Sequence, residues 1–173
     1  MKKPRENRLD WEDKHMLEAI IASTRSPDPN TQVGAHIVNQ NNRTIATGYN
    51  GAPNGISSHA IPWDREAENP IDTKYMYVVH AEENAIHNAV ADIAGCTLYV
   101  TMFPCNECAK SIIQSGISKI IYLDNPYKHL PSTQAAARMF KLLDIPLVKH
   151  KWKNKTSILY YLSQISERIN SNS

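Results

Sequence analysis

HAEENAIHNAVADIAGCTLYVTMFPCNECAKSIIQSGISKIIYL, residues 80–123, is the stretch whose reading decides the fold. Apolar residues at helical spacing predict a helix from His80 to Ile93. Thr97–Thr101 reads as a strand, Cys105–Ser115 as a helix and Lys119–Leu123 as a second strand. Downstream the alternation continues with a helix over Thr133–Leu143 and a strand over Pro146–Lys149. Strands alternating with helices predict an α/β fold with a largely parallel sheet and packed helices. Upstream, Asp10 before Trp11-Glu12-Asp13 marks a helix start, and Met16, Leu17, Ile20 and Ile21 carry that helix to about Arg25. Ser26-Pro27-Asp28-Pro29-Asn30 ends it, because each proline disfavours helix in the residue before it. Gln32–Asn39 and Arg43–Thr47 read as strands joined by the turn Asn39-Gln40-Asn41-Asn42, hence a hairpin. Gly48–Lys74 has no periodicity, and a segment that long inside a compact domain is usually functional.

The same stretch carries the chemistry. Cys105 and Cys108 are three apart and share a helix face with Ala109 and Ile112, while Asn106, Glu107, Lys110 and Gln114 take the other. Both thiols therefore sit at a helix N-terminus, where the dipole favours thiolate, the form that binds metal. Pro104 fits the start of that helix. Taken alone, Cys-x-x-Cys could also be a redox pair or two small buried apolar residues. Glu82 falls among Ala85, Ile86, Ala89 and Ile93, on the apolar stripe of its helix. A carboxylate there is costly unless it is paired or has a task. Helix-start preference explains Glu83, on the polar side, but not Glu82. His80, two residues earlier, can reach inward only from the irregular start of the helix. The residues thus offer three candidate zinc ligands, His80, Cys105 and Cys108, and a buried carboxylate. Three ligands with an open fourth position is the pattern of catalytic zinc; a structural site is closed by four. Cys96 reads as a buried apolar residue, although it, His36, His59 or His129 could close a structural site.

Composition bounds these readings. The chain has 173 residues, 42% of them hydrophobic, a net charge of +2 and three cysteines. That length suits one domain, with residues 1–150 as its main body and 151–173 as a basic segment and terminal helix, Thr156–Ile169. The lysines of His150–Lys155 read as a solvated tail in preference to an anion patch. So small a net charge gives no support to a nucleic-acid or membrane partner. An odd number of cysteines discourages a disulfide framework. Met1–Trp11 holds no apolar signal core, so a cytoplasmic protein is expected.

H-x-E followed by P-C-x-x-C matches the signature of the zinc deaminases. On these residues the sequence resembles the cytidine deaminase superfamily. The resemblance implies a three-layer α/β/α fold around a five-stranded mixed sheet. Arg25–Ala35, Gly48–Gly55, Lys74-Tyr75, His80–Glu82 and Phe103–Lys110 narrow it to the deoxycytidylate (dCMP) deaminases, over roughly Leu9 to Pro146 in unbroken order. That branch implies hydrolysis of dCMP to dUMP and ammonia at Zn²⁺, with Glu82 moving the proton. It implies a nucleotide contact from Asn50, alongside the plain turn that Asn50-Gly51 would form. Arg25, Ser26 and Asn30 become candidates for the 5′-phosphate, as an alternative to a simple helix-ending loop, and Tyr127 a weaker one. It also implies allosteric control through Asn50, Gly51, Pro53, Asn54 and Gly55, with dCTP activating and dTTP inhibiting, Mg²⁺ accompanying the effector, in a hexamer. The zinc motif alone leaves open a deaminase of dCTP, cytidine or tRNA adenosine, or a nucleotide-binding regulator with structural zinc.

Overall fold

The computed structural model describes residues 2–171. Its elements are α1 (Trp11–Ser23), β1 (Gly34–Val38), β2 (Thr44–Tyr49), α2 (Ala81–His87), β3 (Thr97–Met102), α3 (Asn106–Gln114), β4 (Lys119–Asp124), α4 (Pro131–Leu142), β5 (Leu147–Lys149) and α5 (Lys155–Ser171). The five strands form one sheet in the order β2-β1-β3-β4-β5. β1 pairs antiparallel with β2 and β3, whereas β3–β4 and β4–β5 are parallel. The sheet is therefore mixed: the hairpin contributes its antiparallel half and the βα repeats its parallel half.

Strand periodicity sorts the core into two layers. Ala35, Ile37, Leu98, Val100 and Ile120 face α2, α3 and α4, meeting Ala81, Ala85, Cys108, Ala109, Ile112, Ala136 and Phe140. Their sequence neighbours Val38, Tyr99 and Ile121 face the other way, onto Met16 and Ala19 of α1. Two glycines allow the close approach. A Cβ on Gly34 would lie 1.9 Å from the Ala19 carbonyl oxygen, and one on Gly48 would lie 2.3 Å from the backbone of Ala81 and Ala85. Gly48 thus lets α2, and the residues at its N-terminus, seat directly on β2.

The helix predicted from His80 to Ile93 stops at His87. Asn88 caps it and donates its side-chain amide to the Thr47 carbonyl at 3.2 Å, and the Asp92 carboxylate accepts from the Ala94 N–H at 2.9 Å. Ile93 still reaches the core, but through a turn. The apolar spacing therefore recorded burial beyond the point where the helix itself ends.

The 48–74 segment is folded back on itself by three single turns of 3₁₀ helix, Ser58–Ala60, Pro70–Asp72 and Lys74–Met76. The Trp63 indole donates to the Ser58 carbonyl (2.8 Å), the Asn30 amide to the Trp63 carbonyl (3.1 Å) and the Lys74 N–H to the Asp64 carbonyl (3.0 Å). At the other end, the buried Asp13 carboxylate accepts from the backbone N–H groups of Lys153 and Asn154 and fixes the approach to α5. No helix among the described residues is long and apolar enough to cross a membrane.

Candidate active site

Two helix N-termini meet at the carboxyl end of the parallel strands. His80 is the N-cap of α2 and Cys105 the N-cap of α3; both are extended, and neither side chain caps its own helix. Their side chains are thus free to turn towards each other. Cys108, one turn into α3, completes the group. The His80 Nδ1 lies 3.2 Å from the Cys108 Sγ and 3.4 Å from the Cys105 Sγ, and all three ligand atoms fall within 4.8 Å of one another. Tetrahedral zinc, with bonds of about 2.0 Å to nitrogen and 2.3 Å to sulfur, sets N···S edges near 3.6 Å. The observed separations match within a few tenths of an ångström, and two thiols with one imidazole are zinc's preferred donors. Cys96, buried at the start of β3, lies outside the group, as do His36, His59 and His129.

Electrostatics favour the same assignment. The hydrogen bond from Cys108 pulls the Cys105 thiol down to about 4 against the effect of burial, and His80 adds to it. Hydrogen bonding to Cys105 lifts the His80 imidazole to about 9. Cys108, the donor of the pair and buried, is pushed up. The cluster thus draws Cys105 towards the thiolate form, the form that binds metal. Glu82 is 4% exposed, and burial raises its carboxyl to about 7, with the His80 charge opposing. A carboxyl poised near neutrality is suited to taking and giving a proton.

Glu82, His80 and Cys105 line one cavity of about 240 Å³. Its apolar wall includes Val33, Val78, Met102 and Phe103. Its polar wall is organised by Asp28, which is 2% exposed. That carboxylate accepts from the Lys74 ammonium at 2.5 Å, from the Asn50 amide at 3.2 Å, and from the backbone N–H groups of Asn30 and Thr31. These donors hold its pKa below the ordinary carboxylate value although burial opposes them. Asn50 is held in turn: its amide also donates to the Thr31 carbonyl at 2.9 Å, and its side-chain oxygen accepts from the Val33 N–H at 2.8 Å and keeps a second lone pair.

The structure divides the remaining candidates. Asn50 and Tyr127 line the cavity beside Glu82. Ser26 does not; its hydroxyl donates to the Asn50 carbonyl at 2.8 Å and braces the wall from behind. Asn30 is exposed and tied to Trp63. Arg25 lines a second, polar depression on the far side of that wall, together with Gly51, Pro53, Asn54 and Gly55. Arg65 and the buried Asp28–Lys74 pair were not singled out from the sequence. Asp28 and Lys74 stand 46 positions apart, and only the fold joins them.

A mixed five-stranded sheet between helical layers, with a His-Cys-Cys cluster and a buried glutamate at two helix N-termini, defines a zinc-dependent nucleobase deaminase. Residues 9–124 match the family model for the cytidine and deoxycytidylate deaminase zinc-binding region. The chain is 49% identical over 148 residues to the deoxycytidylate deaminase of Mus musculus, covering 85% of this chain and 83% of that protein. Against the deoxycytidylate deaminase of Homo sapiens the identity is 47%, with the same coverage. The crystal structure of the dCMP deaminase from cyanophage S-TIM5 in complex with dCMP and dUMP superposes with a TM-score of 0.65 at 26% identity, over 87% of this chain and 100% of that one. The chain belongs to the cytidine and deoxycytidylate deaminase family.

Proposed function

We propose that this protein hydrolyses dCMP to dUMP and ammonia. The observation that carries the reading is Glu82, a buried carboxylate that lines the same cavity as the zinc-type cluster and has no role in it as a ligand. His80, Cys105 and Cys108 would hold the zinc, which supplies a water nucleophilic at neutral pH when bound. Glu82 is placed to take a proton from an attacking water and deliver it to N3 of the cytosine ring as the C4–O bond forms. The same carboxyl then takes the remaining proton from the new C4 hydroxyl and passes it to the departing amine, so that the C4–N bond breaks with loss of ammonia and the C4 carbonyl forms. The apolar wall shields this exchange from bulk water, and Asn50, held rigid by Asp28, offers the nucleoside a fixed edge. A regulator with structural zinc is disfavoured, because such a site has no use for a buried non-ligand carboxylate.

The reading extends to regulation. The second depression, lined by Gly51, Pro53, Asn54 and Gly55, would take dCTP or dTTP, with Mg²⁺ on the effector's phosphates and Arg25 as a nearby cation. Only a thin wall separates it from the catalytic cavity. Asn50 lines one side and its neighbours Tyr49 and Gly51 the other, as Asp28 and Pro27 do. An occupant of one cavity could thus shift the other through a single hydrogen-bonded strand. We place the enzyme in the cytoplasm, where its three free cysteines stay reduced, in residues 1–150 with 151–173 as an appendage, and as a hexamer by family likeness.

The test is deamination of dCMP, dCTP, cytidine and an RNA hairpin by the zinc-loaded protein, with and without dCTP. Preference for dCMP supports the reading, and a sigmoidal curve straightened by dCTP supports the effector site. Preference for another substrate overturns the first, and a hyperbolic curve indifferent to both effectors overturns the second.

A further inference from the structure

On the α1 face of the sheet, two histidines that the chemistry of the cavity does not use join the helix to the strands. His15 of α1 and His36 of β1 are both fully buried. The His36 Nε2 meets the His15 Nδ1 at 3.3 Å, and the His15 Nε2 meets the side-chain oxygen of Asn42, in the β1–β2 turn, at 3.3 Å. The His36 Nδ1 has no partner among the described residues. One placement of hydrogens serves both contacts. The Asn42 oxygen can only accept, so His15 carries its hydrogen on Nε2, leaves Nδ1 bare, and takes the hydrogen that His36 offers from Nε2. Both rings are then neutral. A further proton on His15 sets N–H against N–H at the shared contact, and one on His36 creates a buried donor with no acceptor.

We propose that the His15–His36 pair is a proton-sensitive latch on α1: it closes when both rings are neutral, and a proton taken up by either ring releases the helix from the sheet ahead of the rest of the fold. The surrounding groups give the extra charge little support. On α1, Lys14 opposes it and Glu18 favours it. Beside His36, β2 brings Thr47 and β3 brings Tyr99, whose ring lies 5.2 Å from His15 and whose phenol burial pushes up to about 12. The second tie on α1 answers protons differently. Asp13 accepts from the backbone of Lys153 and Asn154 and lies 3.2 Å from the His150 Nε2, so a proton on His150 meets a carboxylate. Release of α1 reaches the cavities directly. The helix ends at Ser23 and leads into the wall where Ser26 supports the Asn50 carbonyl and Asp28 the Asn50 amide.

Burial lowers the pKa of both rings, that of His36 to about 4. The released helix exposes rings that protonate near 6.5, so release becomes easier as pH falls below that value and levels off near 4. The test is amide hydrogen exchange of the zinc-saturated protein at pH 7 and pH 5, corrected for intrinsic exchange. Amides of α1 should be less protected than those of β3 and β4, and from His36 alone their protection should fall by about 20-fold between the two pH values. His36→Gln, which is polar but does not titrate, should lose that fall. Protection in α1 equal to that in β3 and β4 would overturn the separate release, and an undiminished fall in His36→Gln would overturn the latch. The wild type also tests it without any variant. Ring ¹⁵N shifts of the folded protein at pH 5 should show His36 neutral with its hydrogen on Nε2; a charged His36 ring would overturn the proposal.

Discussion

Replacing His36 by glutamine should flatten the protein's acid instability. His36 lies on β1, fully buried between the sheet and α1, with its ring stacked on His15 at 5.3 Å. Its Nε2 meets the His15 Nδ1 at 3.3 Å, and its own Nδ1 has no partner. Burial lowers its pKa from 6.5 to about 4, with the charges of His15 and Lys14 adding to the effect. The folded protein therefore keeps this ring neutral where the unfolded chain protonates it. The unfolded state binds more protons between those two values, so stability falls as pH falls. The contribution is complete above pH 6.5 and lost by about pH 4. Between pH 7 and pH 5 the shift amounts to about 2 kcal/mol of unfolding free energy. Urea unfolding at both pH values, on wild type and His36→Gln saturated with zinc, isolates the term, since losses at the metal site are common to both proteins. The wild type should lose about 2 kcal/mol more than the variant over this interval. Equal losses would refute the assignment of a buried neutral His36.

Other substitutions probe the rest of the scaffold. Lys74→Met strands the Asp28 carboxylate in a buried wall and should cost about 3–5 kcal/mol, read as a fall in urea midpoint. Removing both charges together, as Lys74→Met with Asp28→Asn, should recover much of that loss. Gly48→Ala forces a methyl group against the α2 backbone and should destabilise by about 1–3 kcal/mol while lowering activity, because α2 carries His80 and Glu82. Cys105→Ser removes one ligand and should lower zinc content and melting temperature together; a full zinc complement in that variant would contradict the ligand assignment.

The site was legible where chemistry and local periodicity coincide. Cys105 and Cys108 sit one helical turn apart, and Glu82 breaks its helix's apolar stripe, so each announces itself within a few residues. His80 could be placed at an irregular helix start because two-residue spacing from Glu82 excludes a shared helical face. The alternation of strands with helices likewise gave the α/β class, and the two layers follow in the fold as Leu98 and Tyr99 face opposite sides of the sheet. What was hidden depends on long-range closure. Nothing local says that Lys74 will meet Asp28, or that Arg65, in a segment without periodicity, will return to the cavity mouth. The Arg25–Asn30 loop reads from sequence either as a phosphate loop or as a plain helix ending; in the fold Pro27 and Asp28 turn to opposite sides of one wall, with Asp28 at the catalytic cavity and Arg25 at the second depression. The end of α2 was overrun because Ile93 keeps the apolar spacing after Asn88 has already ended the helix.

The central claim is that Glu82 moves the proton at a zinc site that deaminates dCMP. The direct measurement is dUMP formed from dCMP per bound zinc, in wild type and Glu82→Gln. The account predicts about one zinc per chain in both proteins, with turnover in the wild type and a loss of at least about 100-fold in the variant. Undiminished turnover by Glu82→Gln, or a zinc-loaded wild type that leaves dCMP intact, would contradict it.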